Sequence, residues 1–464
     1  MTDGTVDDQE LLAGWISAEA AAKRLGVKTA TLYAYVSRGV LLRRRSAVGH
    51  SLFDPVEVDR LARRGRPRRR SGSSEVTIES RITALGADRP YFRGRDALAL
   101  ARSHRLEEVA ELLWTGALPT EPAPAWMAAP AAVAAGRAAQ AGLPAEVLPI
   151  ERLQVIVPTV AALDPLRHTL DPDAVTAIGR TLVPTLVECL PLATECGSAR
   201  SDRAAGREAA HGAVADGHSR APSDHADRRE ATRGDRGDRA DQRETGSSDS
   251  AGGHEAAAGD LADRLWPRLT AAAPDPGLLG VLRTALPLLA DHEIAASTLA
   301  ARVAASVRAD PYAAVTTALG ATSGALHGGA SLGVEALLAE VGEPENAERV
   351  LGQRLRRGER VPGFGHAVYR DGDGRAALLF EVLGDAAPGH PALALAGAVR
   401  AEAERRRLPP PNVDLALGTF TRAAGMVTGA GEGIFAIARV VGWLAHAMEE
   451  YEHPTRLRLR AVYR

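Results

Sequence analysis

Apolar residues recur along most of this chain every three or four positions, the spacing of one helix face. Glu107-Glu108-Val109-Ala110-Glu111-Leu112-Leu113 shows the pattern early. Ile437, Val441, Leu444 and Met448 show it late and predict a long helix over Phe435 to Glu450. Sustained strand-type alternation is absent from the long stretches, so the bulk reads as mainly α. Between Gly197 and Asp260 the pattern stops: Val214 is present, but no Leu, Ile, Met, Phe, Tyr or Trp. A segment that buries so little apolar surface cannot offset its ordering entropy, and 197–260 is expected to be a disordered insertion between helices.

Near the N-terminus, Ser17 is placed to cap a helix carrying Ala21, Arg24 and Leu25, with Gly26 ending it. Thr29 is placed to cap a second helix, Ala30 to Ser37, stopped at Gly39. Leu52-Phe53-Asp54-Pro55 reads as a short strand leading into a third helix, Val56 to Ala62. Helix, tight turn, helix is the layout of a helix-turn-helix. The expected organisation is a flexible tail (1–13), this small unit (14–66) and a basic linker (67–75). The main body then falls in two stretches, 76–196 and 261–464, on either side of the insertion.

The length of 464 residues allows more than one domain, and the 45% hydrophobic fraction can fill a sizeable core. Aromatics make up 4%, so Ala, Leu and Val must do most of the packing. A net charge of -2 argues against a globally basic nucleic-acid protein, although Arg63 to Arg70 is locally very basic. Cys189 and Cys196 form no metal pattern and read as ordinary small residues. His211, His218, His225 and His254 lack regular spacing, and no metal site is expected. The N-terminus has no basic-then-apolar signal, and no uninterrupted apolar run is long enough to span a bilayer. The expectation is a cytoplasmic protein with no membrane partner.

Candidate chemistry comes from three short motifs. His327 lies in Leu326-His327-Gly328-Gly329-Ala330, where glycines allow close approach of a ligand to the backbone. It is either a donor to a carbonyl becoming an enolate or a packed histidine at a helix end. His366 ends Pro362-Gly363-Phe364-Gly365-His366, as a donor to a ketone or as a loop histidine. Asp414 follows Pro409-Pro410-Pro411 where a new helix must begin, as a base or as an N-cap. His292, in Asp291-His292-Glu293 on a predicted helix, is either a substrate contact or a buried structural histidine. Arg375, Arg439 and Arg458 supply guanidinium groups of the kind a small dicarboxylate needs. Arg439 stands in an unusually apolar run.

The order of these motifs resembles the citrate synthase family over roughly Val76 to Arg464, outside the insertion. Tyr91-Phe92-Arg93-Gly94, Ala296-Ser297-Thr298, Pro411-Asn412-Val413-Asp414 and Phe435-Ala436-Ile437-Ala438-Arg439 support it. The resemblance implies an almost wholly helical fold whose large domain and small domain (about 328–424) close over the substrates. It implies condensation of acetyl-CoA with oxaloacetate to citrate and CoA, as in the tricarboxylic acid cycle, with no cofactor beyond the CoA thioester. Asp414 would take the methyl proton, His327 would hold the enolate oxygen and His366 would polarise the ketone. His292, Arg375 and Arg439 would hold oxaloacetate, and Arg458 would reach in from a partner subunit of a homodimer. Pro362, Gly363, Phe364 and Gly365 would contact CoA. Propionyl-CoA, giving 2-methylcitrate, is the close alternative.

There are two departures. The family's Asp-Pro-Arg is here Asp373-Gly374-Arg375, which implies a freer loop, and its Arg-Pro-Arg is Arg458-Leu459-Arg460. The N-terminal unit resembles the MerR and excisionase helix-turn-helix through Glu19 to Val27 and Thr31-Leu32-Tyr33. That implies DNA as a partner for residues 14–70, with Thr29, Thr31 and Tyr33 near the groove and Arg43, Arg44 and Arg45 on phosphates. A regulator that uses the synthase fold as a metabolite sensor is the reading from a different class.

Overall fold

The computed structural model describes residues 15–37, 40–45, 49–64, 78–120, 126–195 and 259–458. The expected tail (1–13), basic linker (67–75), Gly39, Cys196 and nearly all of the expected insertion lie outside the described residues. Asp260 is a correction to the insertion's boundary. It caps the following helix by accepting from the Asp263 amide (3.0 Å) and receives the Arg283 guanidinium (2.6 Å), so it belongs to the body.

The N-terminal unit comprises β1 (Ile16–Ser17), α1 (Ala18–Leu25), α2 (Thr29–Ser37), β2 (Arg43–Arg45), β3 (Ser51–Phe53) and α3 (Pro55–Arg64). Ser17 Oγ accepts from the Ala20 amide, and Gly26 ends α1 with a left-handed φ of 65°, which favours glycine. Thr29 does not cap α2; it lies inside the helix, because the Lys28 carbonyl already accepts from the Leu32 amide (3.2 Å). The strands form an antiparallel sheet in the order β1-β3-β2. Ala21, Leu32, Leu41, Phe53 and Val58 make this unit's own core.

The body opens with an antiparallel meander of β4 (Thr83–Leu85), β5 (Pro90–Phe92) and β6 (Arg95–Asp96). Helices follow: α4 (Ala97–Ser103), α5 (Leu106–Thr115), α6 (Pro130–Ala138), α7 (Pro149–Ala161), α8 (Pro172–Cys189), α9 (Leu261–Leu269) and α10 (Pro276–Leu288). Then come α11 (Ala296–Ser306), α12 (Pro311–Thr322), α13 (Gly329–Val341), α14 (Ala347–Arg356), α15 (Gly374–Ala386), α16 (Pro391–Arg405), α17 (Val413–Ala423) and α18 (Ala430–Glu452). Three of these helices start on an Asp-Pro pair. The Asp171, Asp275 and Asp310 carboxylates accept from amides three residues on, and the proline fills the first helical position, where no amide hydrogen is needed.

Two hydrophobic clusters organise the body. The larger is built around α5, α7, α8, α10, α12 and α18. The smaller packs α13, α14, α16 and Leu415 of α17. Helix α17 joins them, sending Leu415 into the smaller cluster and Ala416, Leu417 and Phe420 into the larger. One stretch, Pro172–Glu195, is long and apolar enough by composition to cross a membrane (mean hydropathy 1.3), although Asp173, Arg180 and Glu188 interrupt it; 67% of its apolar window is buried in the protein.

Candidate active site

His292 is not on a helix. Asp291 to Ala295 form an irregular link between α10 and α11, and Glu293 takes a left-handed φ of 55° that a helix does not accept. The buried His292 Nε2 lies 3.0 Å from the Tyr369 hydroxyl. Burial, then the positive charges of Arg375 and Arg439, hold its imidazole well below the usual histidine range, so it is neutral.

His327 lies in a tight turn between α12 and α13, closed by bonds from its own amide to Gly324 O (2.9 Å) and from the Gly328 amide to Thr322 O (2.9 Å). A Cβ at Gly328 would sit 2.7 Å from Thr322 O, so this turn requires glycine there. Ser297 Oγ is 2.7 Å from His327 Nε2 and itself accepts the Trp443 indole N–H (3.2 Å). Trp443 Nε1 only donates, so among the described bonds His327 Nε2 is the acceptor for the serine's own hydrogen, and Nδ1 carries the histidine's proton. Burial, aided by Arg439, brings the His327 pKa down to about 4. The result is a neutral imidazole presenting an N–H.

His366 has the opposite arrangement. Its Nδ1 accepts from the backbone amides of Val368 (3.1 Å) and Tyr369 (3.2 Å), so Nε2 carries the hydrogen. Burial, aided by Arg375, lowers its pKa to about 4. The ring stacks on Tyr369 at 4.6 Å and meets His292 edge-on at 5.1 Å. The loop before it is stitched to the proline run: the Gly365 amide donates to Pro410 O (2.8 Å) and the Asn412 amide to Gly363 O (2.9 Å). Gly363 and Gly365 have φ of 84° and 81°, a conformation that side chains resist. This stitching ties the His366 loop to the start of α17, which carries Asp414.

Asp414 is not the cap of α17. Asn412 is: its Oδ1 accepts from the Asp414 amide (3.1 Å), while its Nδ2 donates to Gly365 O (2.9 Å). The Asp414 carboxylate is therefore free of capping duty. Burial, only partly offset by Arg375, pushes its pKa up to about 6. Beside it, Arg375 is clamped by Asp373 through two bonds, Nε to Oδ1 (2.9 Å) and Nη2 to Oδ2 (2.8 Å). The expected freer loop does not occur. The Gly374 amide donates to Asp88 O (2.8 Å), a bond that a proline there would forfeit.

Arg439 is 1% exposed and lies 4.4 Å over the Phe435 ring. Its Nε donates to Leu289 O (2.8 Å), and its Nη2 has no hydrogen-bond partner. Burial lowers its pKa to about 10, so it stays charged at neutral pH. A buried cation with an unused donor is costly and suits an anionic ligand. Arg458 is exposed, and no described hydrogen bond or ion pair joins it to these groups. His292, His366 and Tyr369 form one ring cluster; Phe435 links His327 to Arg439. The Arg439 charge bears on His292 and His327, and the Arg375 charge on His292 and His366.

Sequence reasoning missed Tyr369, Trp443 and the capping role of Asn412. Ser297 and Tyr369 lay inside motifs singled out for other residues. Trp443, on the same helix as Arg439, was legible only as an apolar position.

The sequence profile of the family described as "Citrate synthase, C-terminal domain" matches residues 73–460, and the chain belongs to that family. It is 38% identical over 202 residues to citrate synthase 2 of Bacillus subtilis, covering 42% of this chain and 53% of that protein. It is 37% identical over 180 residues to 2-methylcitrate synthase of Mycobacterium tuberculosis, covering 38% and 46%. The chain thus spans about half the length of the curated relatives it matches. The fold matches citrate synthase of Thermoplasma acidophilum, solved as a ternary complex with carboxymethyl coenzyme A and oxaloacetate. The TM-score is 0.60 at 24% identity, over 84% of this chain and 94% of that one.

Proposed function

We propose that the site condenses an acyl-CoA with oxaloacetate, acetyl-CoA giving citrate and free CoA. The observation that carries this reading is the uncapped Asp414 carboxylate with its raised pKa, in a site with two neutral histidines of opposite tautomer. Asp414 takes a proton from the acyl α-carbon, and the thioester oxygen becomes an enolate oxygen held by His327 Nδ1–H. The α-carbon attacks the oxaloacetate ketone, whose oxygen receives the His366 Nε2–H. Water then cleaves the thioester, releasing CoA and the tricarboxylate. Arg439, Arg375 and His292 hold the oxaloacetate carboxylates, with Arg458 supplied from the partner in a homodimer. The loop Pro362–Gly365 contacts CoA.

Thiol release from acetyl-CoA, followed with and without oxaloacetate, tests the reading. Oxaloacetate-dependent release is expected; none from the folded protein, with propionyl-CoA also tried, overturns it.

A propionyl-CoA reading is also supported, by an identity to a 2-methylcitrate synthase that matches the identity to a citrate synthase. One methylene changes pocket affinity only about 10–200-fold, so comparing kcat/KM for the two acyl-CoAs decides it. The N-terminal unit is proposed to be a MerR-like helix-turn-helix that contacts DNA. The supporting observation is the exposure of Arg43, Arg44 and Arg45 of β2 and of Thr29 and Tyr33 of α2. Binding of the full chain to duplex DNA should weaken steeply with salt, because neutralising phosphates releases counterions and added salt opposes that release. Absence of binding at low salt removes this reading.

A further inference from the structure

Behind the site lies a buried polar chain that the chemistry above does not use. Asp291, Arg302 and His446 are each 0% exposed. Arg302 Nη1 lies 2.9 Å from His446 Nδ1 and 2.6 Å from Glu449 Oε2, and Arg302 Nε bonds Glu450 Oε1 at 2.7 Å. A guanidinium only donates, so His446 Nδ1 accepts and Nε2 carries the hydrogen. That hydrogen points at Asp291 Oδ2, 3.2 Å away. The direction of every bond in the chain is fixed from Arg302 to the Asp291 carboxylate. Burying so many ionic groups costs more than apolar packing would, which asks for a reason beyond stability.

The place where the chain ends supplies one. Asp291 adjoins His292, and its carboxylate acts electrostatically on the buried Arg439, whose Nη2 has no partner. Gly442 lies one turn along α18 from Arg439, and its amide donates to Ala290 O (3.1 Å). A Cβ there would collide with Asp291 Oδ1 and Ala290 O, so the missing side chain makes room for the aspartate. A buried carboxylate beside a buried arginine with a free donor would ordinarily close into a direct pair. Here the two are held apart, and His446 takes the Asp291 oxygen instead.

We infer that His446 is a positioning residue that keeps the Asp291 carboxylate off Arg439, leaving the Arg439 guanidinium free for a substrate carboxylate. Asp291 supplies a compensating negative charge without occupying the donor. Released from His446, it turns onto Arg439 Nη2 and competes with the ligand. This inference rests on the proposal that Arg439 holds oxaloacetate.

The test is steady-state kinetics of the full chain together with calorimetric titration of oxaloacetate. His446→Leu should raise KM and Kd for oxaloacetate at least about tenfold, within the ~100-fold that an ångström's misplacement costs. The acyl-CoA KM and kcat should stay within about threefold, because Asp414, His327 and His366 keep their own partners. Adding Asp291→Asn should recover most of the lost oxaloacetate affinity, since a neutral amide does not neutralise Arg439. A merely structural His446 predicts the opposite, a double variant worse than either single one. Should His446→Leu not fold, His446→Asn carries the same expectation, being too short to bridge both partners. Unchanged oxaloacetate affinity in a folded His446 variant, or no recovery on adding Asp291→Asn, overturns the inference. A wild-type protein that neither turns over nor binds oxaloacetate overturns the reading of the site, and the inference with it.

Discussion

The two sides of the site hold their reactive groups by different means. On the side of the larger cluster, His327 is fixed by side chains: Ser297 on Nε2, Trp443 behind the serine and Phe435 against the ring. On the side of the smaller cluster, His366 is fixed by backbone amides, and Asp414 is left free because Asn412 does the capping. One side is sensitive to which side chains are present, the other to the path of the main chain. Both arrangements yield a neutral histidine, but with the proton on opposite ring nitrogens. Under the proposed condensation, one group would serve an enolate oxygen and the other a ketone arriving from a different direction.

The largest expected effect comes from removing the group that neither side restrains. Asp414→Asn should lower kcat by about 10³-fold, within the 10²–10⁴ range of a lost general base. Oxaloacetate binding should be largely kept by Arg439 and Arg375. In the wild type, kcat/KM for the acyl-CoA should rise with pH through an apparent pKa near 6, because Asp414 must be ionised to act and burial raises its pKa to about 6. A variant that retains wild-type turnover would remove Asp414 from the chemistry.

Next comes the side-chain-held histidine. Ser297→Ala leaves His327 Nε2 without its donor and lets the ring populate the wrong tautomer. A fall in kcat of roughly 10²-fold is expected, below the ~10⁴ that a wholly wrong tautomer costs a serine protease triad. Unchanged kcat would mean that the contrast between the two sides has no catalytic meaning.

The backbone-held side is tested by Gly365→Ala. The residue has a φ of 81°, and its new Cβ would meet Pro409 Cβ at 3.2 Å. A left-handed alanine costs about 1–2 kcal/mol, so a fall of about tenfold in kcat/KM is expected through the shifted His366 loop. The smallest effect should follow Gly374→Pro, which restores the usual family residue. It deletes the bond to Asp88 O and should lower stability by about 1 kcal/mol in denaturant unfolding, leaving kcat nearly intact.

What the sequence made legible follows the same division. The glycine-flanked histidines and the Asp after the prolines stood out because tight turns restrict which residues can occupy them. The partners that fix them did not, because Ser297 and Trp443 lie 146 residues apart in the chain. The helix expected at His292 failed because nothing local announces a left-handed Glu293. Strands β4 to β6, of two or three residues each, are too short to display an alternating pattern. Asp414 was balanced between base and cap in the sequence, and only the geometry of Asn412 separates the two.

Helix α18 runs for 23 residues, about 35 Å at 1.5 Å per residue. Phe435, Arg439, Gly442, Trp443, His446, Glu449 and Glu450 mark off its length like graduations on a ruler. Inserting or deleting one residue near its middle would turn everything beyond by about 100° and misalign several graduations at once. Point substitutions along this helix can be compensated one by one, but a change of length cannot. Descendants of this chain should therefore vary in the connections around α18 while the helix itself keeps its count.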